Sequence, residues 1–336
     1  MTTKLFKSFR GFSSQKILVA LLLVIAIISA FAGCKKETGV NSISKTAASG
    51  SSDFASTTAT LFGTQVGETL MADNLTLLNL LGVNYVRVQI VLKDFTGASS
   101  RIDSYISSGY KIILNLNYGD PQNSNGTKTP VPFPTDMVEY RRLLGNVLDV
   151  YHPEVAVIEN EPTTSQYHSG PIEDYITELK TAVDVCNKRG IKVADGSTNV
   201  QRVQQVMNGQ NSGYADALAQ TKQLIEAYKT IPLDYVNVHS SAPFNSTDNP
   251  NIYPPGVLES VANYLRTTTG KPVMCNEYNQ DNQSAGLMTT AVNGFKAGGY
   301  TYMIARSNKG GTGNAQPLNK GTKLTTIGIA FRDAIK

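Results

Sequence analysis

Val155-Ala156-Val157-Ile158-Glu159-Asn160-Glu161-Pro162 passes within eight residues from an apolar, largely β-branched run to polar groups and a proline. A strand buried on both faces, as in a parallel sheet covered by helices, is apolar throughout rather than alternating, which is how 155–158 reads. Pro162 has no amide hydrogen with which to extend a strand ladder, so Glu161 falls at the carboxyl end of the strand. The segment 272–279 (Pro-Val-Met-Cys-Asn-Glu-Tyr-Asn) repeats the pattern and carries Glu277 to the equivalent point.

Outward from these two segments, strand-like and helix-like patterns alternate from residue 60 to the end. Strands are expected at 61–66, 84–91, 111–118, from 155, 191–196, 233–239, 272–277 and 300–305. Helices are expected at 70–81, 100–108, 135–151, 171–189, 214–229, 256–268, 285–297 and 325–335, with Thr135 as a helix cap. This alternation predicts an α/β fold, a single-domain (β/α)8 TIM barrel over residues 60–336. An open doubly wound sheet would carry a Gly-rich phosphate loop after an early strand, and none is present. Barrels collect their working groups at the carboxyl ends of the strands, where Glu161 and Glu277 fall.

The first residues read as a processing signal. Lys4, Lys7, Arg10 and Lys16 precede an apolar run at 17–32 that contains no acidic residue and ends in Phe31-Ala32-Gly33-Cys34. The ending resembles the bacterial lipoprotein signal box. The resemblance implies cleavage after residue 33, acylation of Cys34 and attachment to a bacterial envelope membrane, with the outer membrane favoured because no Asp follows the cysteine. Residues 34–59, rich in Ser, Thr, Ala and Gly, read as a flexible tether. Removing 1–33 takes four of the 30 basic residues and none of the 26 acidic ones, so the formal +4 becomes neutral and no nucleic-acid partner is indicated. Cys186 and Cys275 are expected to be buried free thiols. The three histidines are dispersed without ligand spacing, so no metal or cofactor is expected, and the chain is expected to be a monomer.

Two carboxylates on two strand ends are the parts needed to open a glycosidic bond. With retention of configuration, the groups should lie about 5–5.5 Å apart. With Asn-Glu ending both the fourth and seventh strands, residues 60–336 resemble the clan of retaining glycoside hydrolases built on the (β/α)8 barrel. The resemblance implies that Glu161 is the general acid/base, Glu277 the nucleophile and Asn160 a ligand of the sugar hydroxyl beside the reacting carbon. It further implies that Arg87 supports the nucleophile and that His239 contacts substrate. Two features depart from the clan. Its tryptophan after strand eight is absent, the chain having none and reading Arg306-Ser307 there, and its His-x-Tyr after strand six is His239-Ser240-Ser241. The competing reading is a catalytically weak or inactive carbohydrate-binding surface lipoprotein on the same barrel. A lyase or transglycosylase would use much the same geometry.

For the acid role, burial and the charge of Glu277 should raise the pKa of Glu161. Strand alternation places Glu159 on the same side as Glu161, inside the barrel, where it would need a partner such as Arg87. Asn115, Asn117 and Tyr118 end the third strand as candidate sugar contacts. Without tryptophan, Tyr118, Phe244, Tyr253 or Tyr278 would have to stack on sugar faces.

Overall fold

The computed structural model describes residues 59–66, 71–120, 129–210, 215–242, 256–307 and 316–336. Cys34, the signal and nearly all of the tether, Phe244 and Tyr253 lie outside them. Eight principal strands follow one another in parallel: β1 (Leu61–Val66), β2 (Tyr85–Val91), β3 (Lys111–Asn117), β4 (Val155–Ile158), β5 (Lys192–Asp195), β6 (Val236–Ala242), β7 (Val273–Gln280) and β8 (Tyr302–Ser307). The sheet runs β5-β4-β3-β2-β1-β8-β7-β6, with the two-residue strand Thr198–Asn199 pairing against β6. A parallel bridge between Ala194 and Tyr235, with amides of Asp234 and Tyr235 donating to the Val193 carbonyl, joins the two ends. The result is the (β/α)8 barrel read from the sequence.

The connecting helices are α1 (Met71–Leu81), α2 (Ser100–Ser107), α3 (Met137–Tyr151), α4 (Ile172–Asn187), α5 (Val200–Met207), α6 (Ala215–Tyr228), α7 (Val257–Thr269), α8 (Ala285–Ala297) and α9 (Thr326–Ile335). Asp136 rather than Thr135 caps α3, accepting from the amides of Val138 and Glu139 at 3.0 Å. A carboxylate there also complements the positive end of the helix dipole. Helix α5 was not anticipated. Its signals were the Asn199 cap and Val200, Val203 and Val206 on one face.

Two apolar layers hold the barrel. The outer layer lies between strands and helices. The inner one consists of Tyr85, Ile113, Val155, Val157, Ala194, Tyr235, Met274, Tyr302 and Ile304. Tyr302 meets Tyr85 and Tyr235 edge-to-face, with centroids 5.2 and 5.5 Å apart, and these rings close the amino-terminal end. Toward the other end, the inward positions become polar: Arg87, Asn115, Asn237, His239 and Asn276 are all almost fully buried. Cys186 and Cys275 are free and buried, as expected. No helix among the described residues is long and apolar enough to cross a membrane.

Candidate active site

The polar layer carries two carboxylates above it. Strand β7 delivers Glu277 through an irregularity. Along β7, Cys275 faces outward and Met274 inward, so simple alternation would put Asn276 inside and Glu277 outside. The register against β6 shifts between Cys275 and Glu277, and that against β8 shifts between Cys275 and Tyr278. This bulge re-aims the strand end so that both Asn276 and Glu277 face inward. Tyr278 is correspondingly turned outward. It is 1 % exposed, packs edge-on against Phe295 of α8, and donates to Gln280 Oε1 at 3.1 Å. Its expected place as a sugar contact is therefore corrected, because the bulge turns the tyrosine into the layer beneath α8.

Arg87 on β2 is the hub of the inner face. Its Nη1 donates to Glu277 Oε2 and to Gln65 Oε1, and its Nη2 donates to Asn160 Oδ1 at 2.9 Å and Asn115 Oδ1 at 3.2 Å. Arg306, at the end of β8, donates to Glu277 Oε1 at 3.2 Å, and Asn279 Nδ2 donates to the same oxygen at 2.9 Å. Burial pushes the Glu277 carboxyl up, but the charges of Arg87, His239 and Arg306 and the Asn279 hydrogen bond outweigh it. Glu277 is held ionised, well below the usual carboxylate range. Arg306, noted in the sequence only as a departure, is thus a second cation on this carboxylate. Gln65 and Asn279 were missed; their position at strand ends was the only available signal.

Strand β4 delivers Glu161 by a different device. Its ladder ends at Ile158, after which Glu159 and Glu161 both adopt left-handed backbone, with φ of 67° and 50°. Such conformations cost of order 1–3 kcal/mol each in a residue with a side chain. The Glu161 amide donates to the Gly196 carbonyl at 2.7 Å, and a Cβ on Gly196 would lie 2.5 Å from the Ile158 carbonyl oxygen. Only glycine at the end of β5 lets the end of β4 come this close.

Glu161 Oε1 lies 2.8 Å from His239 Nδ1, and Thr164 donates to its Oε2 at 3.2 Å. The other ring nitrogen of His239 lies 2.8 Å from Asn276 Oδ1, an oxygen that also accepts from Asn237, so Nε2 carries the hydrogen. The Glu161–His239 contact therefore holds one further proton, borne either by the imidazole or by the carboxyl. Burial pushes Glu161 up, but the His239 hydrogen bond and charge outweigh both it and the smaller opposing effect of Glu277. The expected upward shift is corrected to a downward one, the cause being a histidine partner whose contact the sequence could not show.

Glu159 is corrected as well. It does not enter the barrel or meet Arg87. Its left-handed backbone turns the side chain outward, where Oε1 accepts from the Tyr118 amide at 2.6 Å and Oε2 lies 3.8 Å from His168 Nε2. Asn117 is buried and accepts from Asn115 Nδ2 at 2.7 Å. Tyr118 is half-buried beneath Lys93, whose Nζ lies 4.0 Å from the ring centroid. No group of three His, Cys, Asp or Glu among the described residues could hold a metal ion.

Arg87 and His239 thus tie Asn160, Glu161 and Glu277, from strands β4 and β7, into one hydrogen-bonded cluster at the carboxyl ends of the strands. No protein-family model matches the sequence, and no curated protein matches it. Solved structures do match. A GH26 beta-mannanase from Bacteroides ovatus aligns with TM-score 0.54 at 13% identity, over 82% of this chain and 88% of that one. A GH128 subgroup II endo-beta-1,3-glucanase from Sorangium cellulosum aligns with TM-score 0.53 at 14% identity, over 82% and 98%. A GH30 endoxylanase from Clostridium papyrosolvens aligns with TM-score 0.53 at 15% identity, over 82% and 72%. What this chain shares with these three is the (β/α)8-barrel fold. At these identities the likeness is one of backbone, and the chemistry of the barrel has to be argued from its own residues.

Proposed function

We propose that this barrel is a retaining O-glycoside hydrolase acting on a poly- or oligosaccharide, attached through an acylated Cys34 to a bacterial envelope membrane, with the outer membrane favoured. One observation carries the catalytic reading: two strand-end carboxylates in one cluster have different partners. Glu277 is kept ionised by two arginines, and Glu161 shares a proton with His239. On this reading the carboxylate held by arginines is the nucleophile, and the one facing a histidine that can carry a proton is the acid. The Glu277 carboxylate attacks the anomeric carbon while the bond to the leaving oxygen breaks. That oxygen takes the proton from the Glu161–His239 pair. Glu161 then removes a proton from water, whose oxygen displaces Glu277 from the anomeric carbon, and two inversions give net retention. Asn160, with Oδ1 engaged by Arg87, has its amide nitrogen available for a sugar hydroxyl.

The test is mass spectrometry of protein treated with slow fluorosugar inactivators across a panel of sugars. The expected result is a covalent label on Glu277. A label on Glu161 would reverse the roles. Sugar binding without turnover or label across the panel would make the carbohydrate-binding reading the better one. Cys34→Ser, expressed in a bacterial host, should leave a soluble, folded protein. Unchanged membrane fractionation after cleavage of 1–33 would contradict the anchor.

A further inference from the structure

Directly behind the strand end that carries Glu161 is a second pair of carboxyls. Glu178 on α4 is fully buried and lies within hydrogen-bonding reach of Glu159, itself 1 % exposed. Among the described residues, three of the four carboxyl oxygens, Glu159 Oε2 and both of Glu178, are buried with no hydrogen-bond donor, and the Tyr140 hydroxyl is likewise buried without a partner. Carboxylates only accept hydrogen bonds, so two of them can satisfy each other only if one is protonated. Two ionised carboxylates sealed side by side would have neither solvent nor a counter-ion to offset their repulsion.

The surroundings favour the shared proton. From α3, the Tyr140 phenol faces Glu178, and from α4 the Tyr175 phenol lies nearby but is engaged, donating to the Ile158 carbonyl. Cys186 on α4 is a buried thiol whose pKa burial pushes up. From the loop after β4, His168 is kept neutral by burial; its Nε2–H donates to the Asn160 carbonyl at 2.8 Å, and its ring stacks on Phe133 at 4.8 Å. From β3 comes the Tyr118 amide. Among the described residues, the cation acting on the pair is Lys93, at a distance, after β2. This pair therefore lacks the close arginines that ionise Glu277.

The pair also sits where it can move Glu161. Between the end of the β4 ladder and Glu161 there are two residues, Glu159 and Asn160. Glu159 is fixed by Tyr118 and Glu178, and Asn160 by His168 on its carbonyl and Arg87 on its side chain. We infer that Glu159 and Glu178, sharing one proton, are positioning residues that hold the left-handed strand end and so keep Glu161 on His239. Loss of that proton at alkaline pH drives the two carboxylates apart and loosens Glu161. The catalytic consequence rests on the function proposed above, whereas the shared proton and its effect on Glu161 do not.

The experiment therefore begins without substrate. Infrared spectroscopy of the full chain should show a protonated carboxyl band near neutral pH that is absent from Glu178→Gln. Side-chain carboxyl NMR, with Glu161 assigned by Glu161→Gln, should show a second inflection of the Glu161 signal on the alkaline side. That inflection should disappear in Glu178→Gln, whose amide donates to Glu159 at any pH. With an aryl glycoside that the wild type turns over, Glu178→Leu should lower kcat about a hundred-fold with little change in KM, as for a misplaced catalytic group, and Glu178→Gln should restore it and extend the alkaline limb. A wild type without the carboxyl band, or without the alkaline inflection at Glu161, overturns the inference even if Glu178→Leu does not fold. A wild type that shows both signals but turns over no glycoside refutes the function and leaves the positioning role standing.

Discussion

Glu159 and Glu161 stand two residues apart on one strand end, yet they belong to opposite environments. Glu161 faces the barrel axis, where His239 is its direct partner and Arg87 and Arg306 hold the neighbouring Glu277. Glu159 faces the helices and has another carboxyl for company. The inner pair is ordered by cations and is kept toward ionisation; the outer pair is ordered by burial and kept toward protonation. Glu159 and Glu277 are both buried yet are held in opposite states, because what decides is the nearest opposite charge.

The largest effect expected of any change to this contrast is at Glu277. Glu277→Gln should lower turnover of every substrate by about 10,000-fold or more, the scale seen when a nucleophile working within a unit is lost. Sugar binding, followed by calorimetry, should persist. Retained turnover in a folded Glu277→Gln would remove the nucleophile from the inner pair.

Glu161→Ala should cost roughly 100- to 10,000-fold on substrates with poor leaving groups, the usual range for a general acid, and far less in the first step with activated aryl glycosides. Added azide should speed the second step and give a product of retained configuration. An equal loss on all leaving groups, unrelieved by azide, would contradict the acid/base role.

Arg87→Met tests the inner pair as structure. Removing one partner of a buried ion pair strands the other, at about 3–5 kcal/mol, measurable by urea unfolding. A loss below about 1 kcal/mol would mean that Arg306 and Asn279 suffice for Glu277.

The two pairs should also act on stability with opposite signs. Glu277 and Glu161 are held below the ordinary carboxylate range, so their contribution is present above that range and lost as pH falls through it. Glu159 and Glu178 are held above it, so theirs is present in acid and lost as pH rises toward and past neutrality. The melting temperature should fall on both sides of a maximum, with Arg87→Met flattening the acid side and Glu178→Gln the alkaline side. An alkaline side unchanged in Glu178→Gln would mean that the outer pair carries no titrating proton.

The smallest effect is expected at Tyr278→Phe, which removes one buried hydrogen bond to Gln280 at about 1 kcal/mol and should leave KM unchanged. A clear rise in KM would return Tyr278 to the sugar site.

Sequence alone carried the barrel, since the apolar runs and their helical connections recur with little ambiguity from residue 61 to 335. It also brought out Glu161, Glu277, Arg87 and His239, because polar residues ending apolar strands stand out against what precedes them. What it could not decide was which way a side chain points once a strand stops being regular. Alternation put Glu159 inside, and a left-handed backbone beside Gly196 turned it out. At β7, the bulge brought Asn276 and Glu277 inside together and sent Tyr278 beneath α8. Both departures depend on neighbouring strands that are distant in sequence, and a period of two has no means of registering them. Charge state has the same origin. The arginines that ionise Glu277 come from β2 and β8, and burial beside Glu178 of α4 is what keeps Glu159 toward protonation, so these carboxyls acquire their chemistry only when the barrel closes.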